Sequence, residues 1–183
     1  TKKLYNKLSG ANTSDITPML IARNNISSTI AKLNEFTNTE FNITSEAQWE
    51  FAAKGGVKSM GYTYAGGNTL NDVAWYKDNS DNKLHDVKTK LPNELGIYDM
   101  SGNSREFVLD YYNPYTNQSV TNPISTIDGD KAHTMRGGHY SSSEEICSSN
   151  YRYIHSYTTS TSQGWVTYYD TLECALRLVL NWD

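Results

Sequence analysis

The chain has 183 residues, a net charge of −4 and a pI near 5.5. That length suits one large domain with a core of its own. An acidic balance with no clustered Lys/Arg patch excludes a basic nucleic-acid face, and no apolar run reaches the length of a membrane span.

Residues 1–25 read as a lead-in with little pattern, and Pro18 argues against a helix there. From Ile26 the spacing turns helical: Ile26, Ile30 and Leu33 share one face, and Asn38 is a stop. A second helix follows. Thr44 or Ser45 can cap it, Ser45 and Gln48 have capping-box spacing, Trp49, Ala52 and Ala53 form its buried face, and Gly55-Gly56 ends it. Gly66-Gly67-Asn68, the run from Asp78 to Asn82 and Leu91-Pro92-Asn93-Glu94 are turn signals. They predict a loop-rich region around small sheets. The run from Ala175 to Leu180 predicts one buried closing strand. The opening has no charged-then-apolar run of the signal-peptide kind. Cys147 and Cys174 are too few for a disulfide scaffold. They form either one bridge or two separate buried thiols.

Four segments carry a resemblance when taken in order: residues 43–56 (ITSEAQWEFAAKGG), 92–103 (PNELGIYDMSGN), 135–138 (MRGG) and 176–180 (LRLVL). Together they resemble the formylglycine-generating-enzyme, or sulfatase-modifying-factor, family from about Ile26 onward. The resemblance implies an α+β, C-type lectin-like fold with two helices, small sheets and long ordered loops over residues 26–183. It also implies where a cofactor would sit. Oxidases of the family bind copper with two cysteines five positions apart, and soft Cu(I) requires such a thiolate pair. Here Cys147 matches the second position and Ser142 the first, so no copper and no oxidase activity are expected. The resemblance places a structural Ca2+ at Asp99, Gly102, Ser104 and Glu106, which offer hard oxygen ligands. The structural reading of Asp99 and Glu106 is turn capping or pairing with Arg105, which stands where the family has Trp. Asn71, Asp72 and Val73 match a second site only loosely.

Residues 140–171 are dominated by Ser, Thr and Tyr, and the chain as a whole has 14 Tyr against 4 Phe. Tyr and Trp give rigid amphipathic contact area, and Ser, Thr and Asn give adaptable hydrogen bonds, as in antibody loops. A serine-rich run often means disorder. Trp165, the many tyrosines and the flanking scaffold segments argue for order. Ser, Thr, Tyr, His, Asp and Ile are also the residues reached from an Asn codon by changing one adenine. The stretch therefore resembles the variable region, here 139–171, of proteins diversified by diversity-generating retroelements. That resemblance implies a receptor or adhesin that binds an unknown protein or glycan at the cell surface, outside the cell or on a phage particle. The candidate contact residues are His139, Ser141, Ser143, Tyr151, Tyr153, His155, Tyr157, Thr159, Trp165, Thr167 and Tyr168. The alternatives are a copper oxidase of substrate cysteines and an invariant carbohydrate- or protein-binding domain. The histidines lack zinc spacing, no nucleophile elbow is present, and Glu144 with Glu145 reads as solvated rather than as an acid pair.

Overall fold

A computed structural model describes residues 16–126, 132–154, 156–161, 164–169 and 174–180. Helix α1 spans Ile26–Thr37 and buries Ile26 and Leu33. It stops at Asn38, whose left-handed backbone (φ 50°) closes the last turn onto Asn34. The Asn34 side chain then brackets the Phe41 backbone with two bonds, of 2.9 and 3.1 Å, and starts strand β1 (Phe41–Ile43). Helix α2 spans Glu46–Ala53 with the full reciprocal capping box between Ser45 and Gln48. Trp49 and Ala53 are completely buried. Asn93 binds the far end of this helix, donating to the Ala52 carbonyl (2.7 Å) while its oxygen accepts from Leu95 and Ile97. A short helix α3 (Leu70–Val73) lies in the region read from sequence as loop-rich around small sheets.

Strands β2 (Glu106–Tyr111), β3 (His133–Arg136) and β4 (Tyr153–Ile154) pair antiparallel in sequence order, and β7 (Ala175–Leu176) adds to β2 in parallel. Strand β8 (Leu178–Leu180) leaves that sheet and pairs antiparallel with β1. Strands β5 (Ser156–Thr161) and β6 (Gly164–Tyr169) pair antiparallel with each other. The expected single buried closing strand is therefore two strands. It breaks at Arg177, whose guanidinium makes two bonds to the Glu106 carboxylate (2.6 and 2.8 Å). Leu176 and Leu178 are half-buried and Leu180 is exposed.

Three apolar clusters make the core. One joins Ile21, Ile26, Ile43, Phe107, Met135 and Cys174, so the lead-in already belongs to the core at Ile21. The second centres on Trp49, Met100 and Val108, and the third on Leu70, Val73, Tyr76 and Cys147. The two cysteines sit in different clusters as free thiols, which decides between the two readings of the pair.

Arg136 ties these parts together. It is completely buried, its guanidinium carbon 5.0 Å from the centre of the Trp49 ring. It donates to Glu50 Oε2 (2.5 Å) and to the carbonyls of Ser149, Asn150 and Tyr151 (3.0, 3.2 and 2.9 Å), with Glu46 Oε1 at 3.7 Å. Removing one partner from such a buried charge network strands the others, at a cost of about 3–5 kcal/mol. Arg136→Met should lower unfolding stability by that amount in urea titration; a loss under about 1 kcal/mol would contradict this role.

Candidate binding face

The stretch that follows β3 is built as a fixed loop. Gly138 has φ 70°, and a Cβ there would come within 2.8 Å of Cys147 Sγ, so only glycine lets the chain pass the thiol. The Tyr140 backbone is held from both sides: its N–H donates to the Asn103 carbonyl (3.0 Å), and its carbonyl accepts from the Ser80 hydroxyl (2.7 Å). Asn103 is fully buried, and its side-chain amide bonds both backbone groups of His85. Beside it, Gly102 (φ 72°) passes so close to the Trp75 carbonyl that a Cβ would lie 2.2 Å from it. Further on, the carbonyls of Ser149 to Tyr151 rest on Arg136. Arg152 next to them makes a two-point ion pair with Glu46, both bonds 2.7 Å, and stacks over Tyr112 and Tyr115.

On this frame His139, Tyr151 and Tyr153 are half-buried, and Ser141 and Ser143 are exposed. The His139 and Tyr140 rings lie 5.4 Å apart, tilted by 34°. His139 Nδ1 accepts the Ser141 N–H (3.0 Å), and both the Ser141 and Ser142 hydroxyls lie 3.2 Å from it. Ser142 itself is buried, and its hydroxyl accepts the His139 N–H (3.0 Å). Tyr153 is less a surface group than the sequence suggests. It packs against the first core cluster and carries Arg105 on its ring, 4.1 Å from the centre. Of the other candidates, His155 lies outside the described residues, and Tyr157, Thr159, Trp165, Thr167 and Tyr168 fall on β5 and β6, where the backbone alone is described.

Burial lowers the His139 pKa to about 4, and the Arg105 charge adds to the effect. Burial likewise pushes the Cys147 thiol up to about 12, so at neutral pH it is protonated.

The four residues named for calcium divide. Asp99, Ser104 and Glu106 line a cavity of about 430 Å3 beside α1 and β7, and Gly102 does not. Both Glu106 oxygens are engaged by Arg177, and one also accepts from Trp49 Nε1 (2.7 Å). Asp99 accepts the Lys88 N–H (2.8 Å), and the Ser104 hydroxyl donates to the Arg105 carbonyl (3.1 Å). Among the described residues no three His, Cys, Asp or Glu side chains form a metal-binding group. The reading of Glu106 as a partner of Arg105 is corrected: both Glu106 oxygens pair with Arg177 instead.

Sequence reasoning missed Arg105 as a member of the face and Arg136 as its support. Neither has a partner at a recognisable sequence spacing, since Glu46 and Glu50 approach Arg136 from another element.

Between pH 6.5 and about 4 the folded chain holds fewer protons at His139 than the unfolded chain does. Stability therefore falls as pH drops through that window, and His139→Gln should flatten the fall. An NMR titration of the imidazole checks the premise; a midpoint near 6.5 would contradict it.

Residues 8–165 match the sulfatase-modifying factor enzyme 1-like domain family. In sequence the chain is 37% identical to the "Chaperone protein LppX" of Paenibacillus barcinonensis, over 44% of this chain and 34% of that one. It is 29% identical to the formylglycine-generating enzyme of Streptomyces coelicolor, over 57% and 38%. The chain spans little more than a third of the length of these relatives. Among solved structures it resembles Treponema denticola variable protein 1, with a TM-score of 0.76 and 24% identity over 85% of this chain and 76% of that one. It also resembles PvdO from Pseudomonas aeruginosa, with a TM-score of 0.69 and 18% identity over 97% and 74%. The match over residues 8–165 covers most of the chain, which therefore belongs to the sulfatase-modifying factor enzyme 1-like family, with its C-type lectin-like α+β fold.

Proposed function

We propose that the chain is a non-catalytic ligand-binding protein that displays a Tyr/Ser/Thr-rich face on its lectin-like scaffold, as variable proteins of diversity-generating retroelements do. The observation that carries this is the pairing of Ser142 with Cys147. Copper oxidation of the formylglycine-generating type needs two thiolates that can share one soft ion. Here the first position is a buried hydroxyl already bonded to the His139 backbone. The second is a buried thiol whose pKa stands near 12. These residues do not fit Cu(I).

What the segment offers instead is a rigid backbone with exposed, interchangeable side chains. The buried Arg136 and the two-sided hold on Tyr140 fix the frame, while Ser141 and Ser143 are exposed. A frame of that kind tolerates substitution at the rim, because the rim residues contribute little to folding. The structural likeness to a protein named as variable supports this reading. The ligand is an unidentified protein or glycan, and the proposed setting is a cell surface, the extracellular space or a phage particle. Among the described residues no helix is long and apolar enough to cross a membrane.

Two measurements test the proposal together. Immobilised chain screened against protein and glycan arrays should bind a ligand, and Ser141→Arg with Ser143→Arg should abolish that binding with the thermal midpoint unchanged. Tyr153 is unsuitable for this test, since its loss would also disturb the core. In the second, the chain supplied with copper should not oxidise a cysteine in a sulfatase-type peptide. Stoichiometric copper with formylglycine formation would overturn the proposal in favour of the oxidase.

A further inference from the structure

Three arginines near the candidate face, Arg136, Arg152 and Arg177, each have a glutamate oxygen within 2.7 Å. Arg105 has none. It immediately precedes β2, and its backbone carbonyl accepts the Ala175 N–H (2.8 Å). The residue is half-buried, yet its Nε is fully buried with no hydrogen-bond partner. Among the described residues its guanidinium makes no ion pair. What surrounds it is neutral: the Tyr153 ring beneath, with Tyr140, Cys147 and Cys174 as its other electrostatic neighbours. Glu144, the acid closest in sequence to this loop, is exposed, and its charge acts on Tyr64, Tyr76 and Cys147 rather than on Arg105.

A guanidinium partly withdrawn from water without a counter-charge is unfavourable, and the penalty is relieved when an anion arrives. Its planar fork matches a carboxylate with two parallel bonds, a geometry that lysine cannot reproduce. The Tyr153 ring, its centre 4.1 Å from the guanidinium carbon, supports the fork from beneath. His139, which spends Nδ1 on the Ser141 N–H, adds no second acceptor for the guanidinium.

We propose that Arg105, seated on Tyr153, is a carboxylate-binding subsite in the floor of the 139–153 face, and that the ligand is a protein presenting an Asp or Glu side chain to it. The mixture of Tyr and Ser around the subsite favours a protein over a sugar, since such surfaces recognise protein epitopes through aromatic anchors and hydroxyl contacts. The inference rests on the reading of this face as a binding surface, and it goes further in naming what the face binds.

The test uses acetate first, followed in the backbone 15N–1H resonances of Tyr140 and Tyr153, the neighbours of Arg105, at constant ionic strength. A saturating shift is expected in the unaltered chain and should vanish in Arg105→Met. Arg105→Lys is the second variant: it keeps the charge and loses the fork, so it should retain only weak binding. A Glu- and Tyr-containing peptide should then bind about tenfold more tightly than its Gln counterpart, with the difference lost in Arg105→Met. No saturating shift in the unaltered chain, or one that persists in Arg105→Met, would overturn the subsite. An oligomer of uronic acid that binds in preference to the acidic peptide would overturn the protein ligand. Binding abolished by Ser141→Arg yet indifferent to Arg105→Met would sink this inference and leave the proposed function standing.

Discussion

The buried guanidinium of Arg136 is the interaction on which the rest of the structure depends. It lies between α2, which supplies Glu50 and Glu46, and the backbone of Ser149 to Tyr151. Carbonyls buried there need donors, and a backbone with little regular sheet cannot supply them. One planar cation meets that need three times over and has its own charge balanced by the helix. The loop that follows β3 can therefore be long and irregular in hydrogen bonding yet fixed in space. Arg152 repeats the device at the next residue by pairing with Glu46. Helix α2 thus serves both as a packing element, through Trp49 and Ala53, and as an acidic post to which the candidate face is tied.

That arrangement separates framework from display. The bonds that hold the face run through backbone carbonyls and through groups outside it, such as Ser80, Asn103 and Arg136. Side chains at Ser141 and Ser143 take no part in that support. The same loop contains Ser142 and Cys147, the pair on which the proposed function rests. Here the hydroxyl is used to close the turn at His139.

Much of the fold is legible in the sequence where local chemistry decides it. The capping box at Ser45 and Gln48, the left-handed stop at Asn38 and the glycines after α2 each act through neighbouring residues, so spacing alone reveals them. Long-range partners are another matter. An apolar run such as Ala175 to Leu180 looks like one strand. It breaks because Arg177 must reach Glu106, and nothing local announces that demand. The same Glu106 reads as a calcium ligand in sequence, since a carboxylate looks alike whether its counter-ion is a metal or a distant arginine. Tyr153 reads as a contact residue, though half of its role is to pack the core. Arg105 was legible as a departure from the family's tryptophan. Among the described residues it makes no ion pair, and only the long-range contacts of the fold show that.

The central claim is that ligand binds the rigid face over residues 139–153 and not the cavity beside α1 that Asp99, Glu106 and Arg177 share. Hydrogen exchange of backbone amides, compared with and without bound ligand, tests it most directly. The account predicts new protection at residues 139–143 and 150–153 and little change along Ile30 to Leu33 or at Leu176 to Leu178. Protection concentrated at the cavity, with the face unchanged, would contradict it.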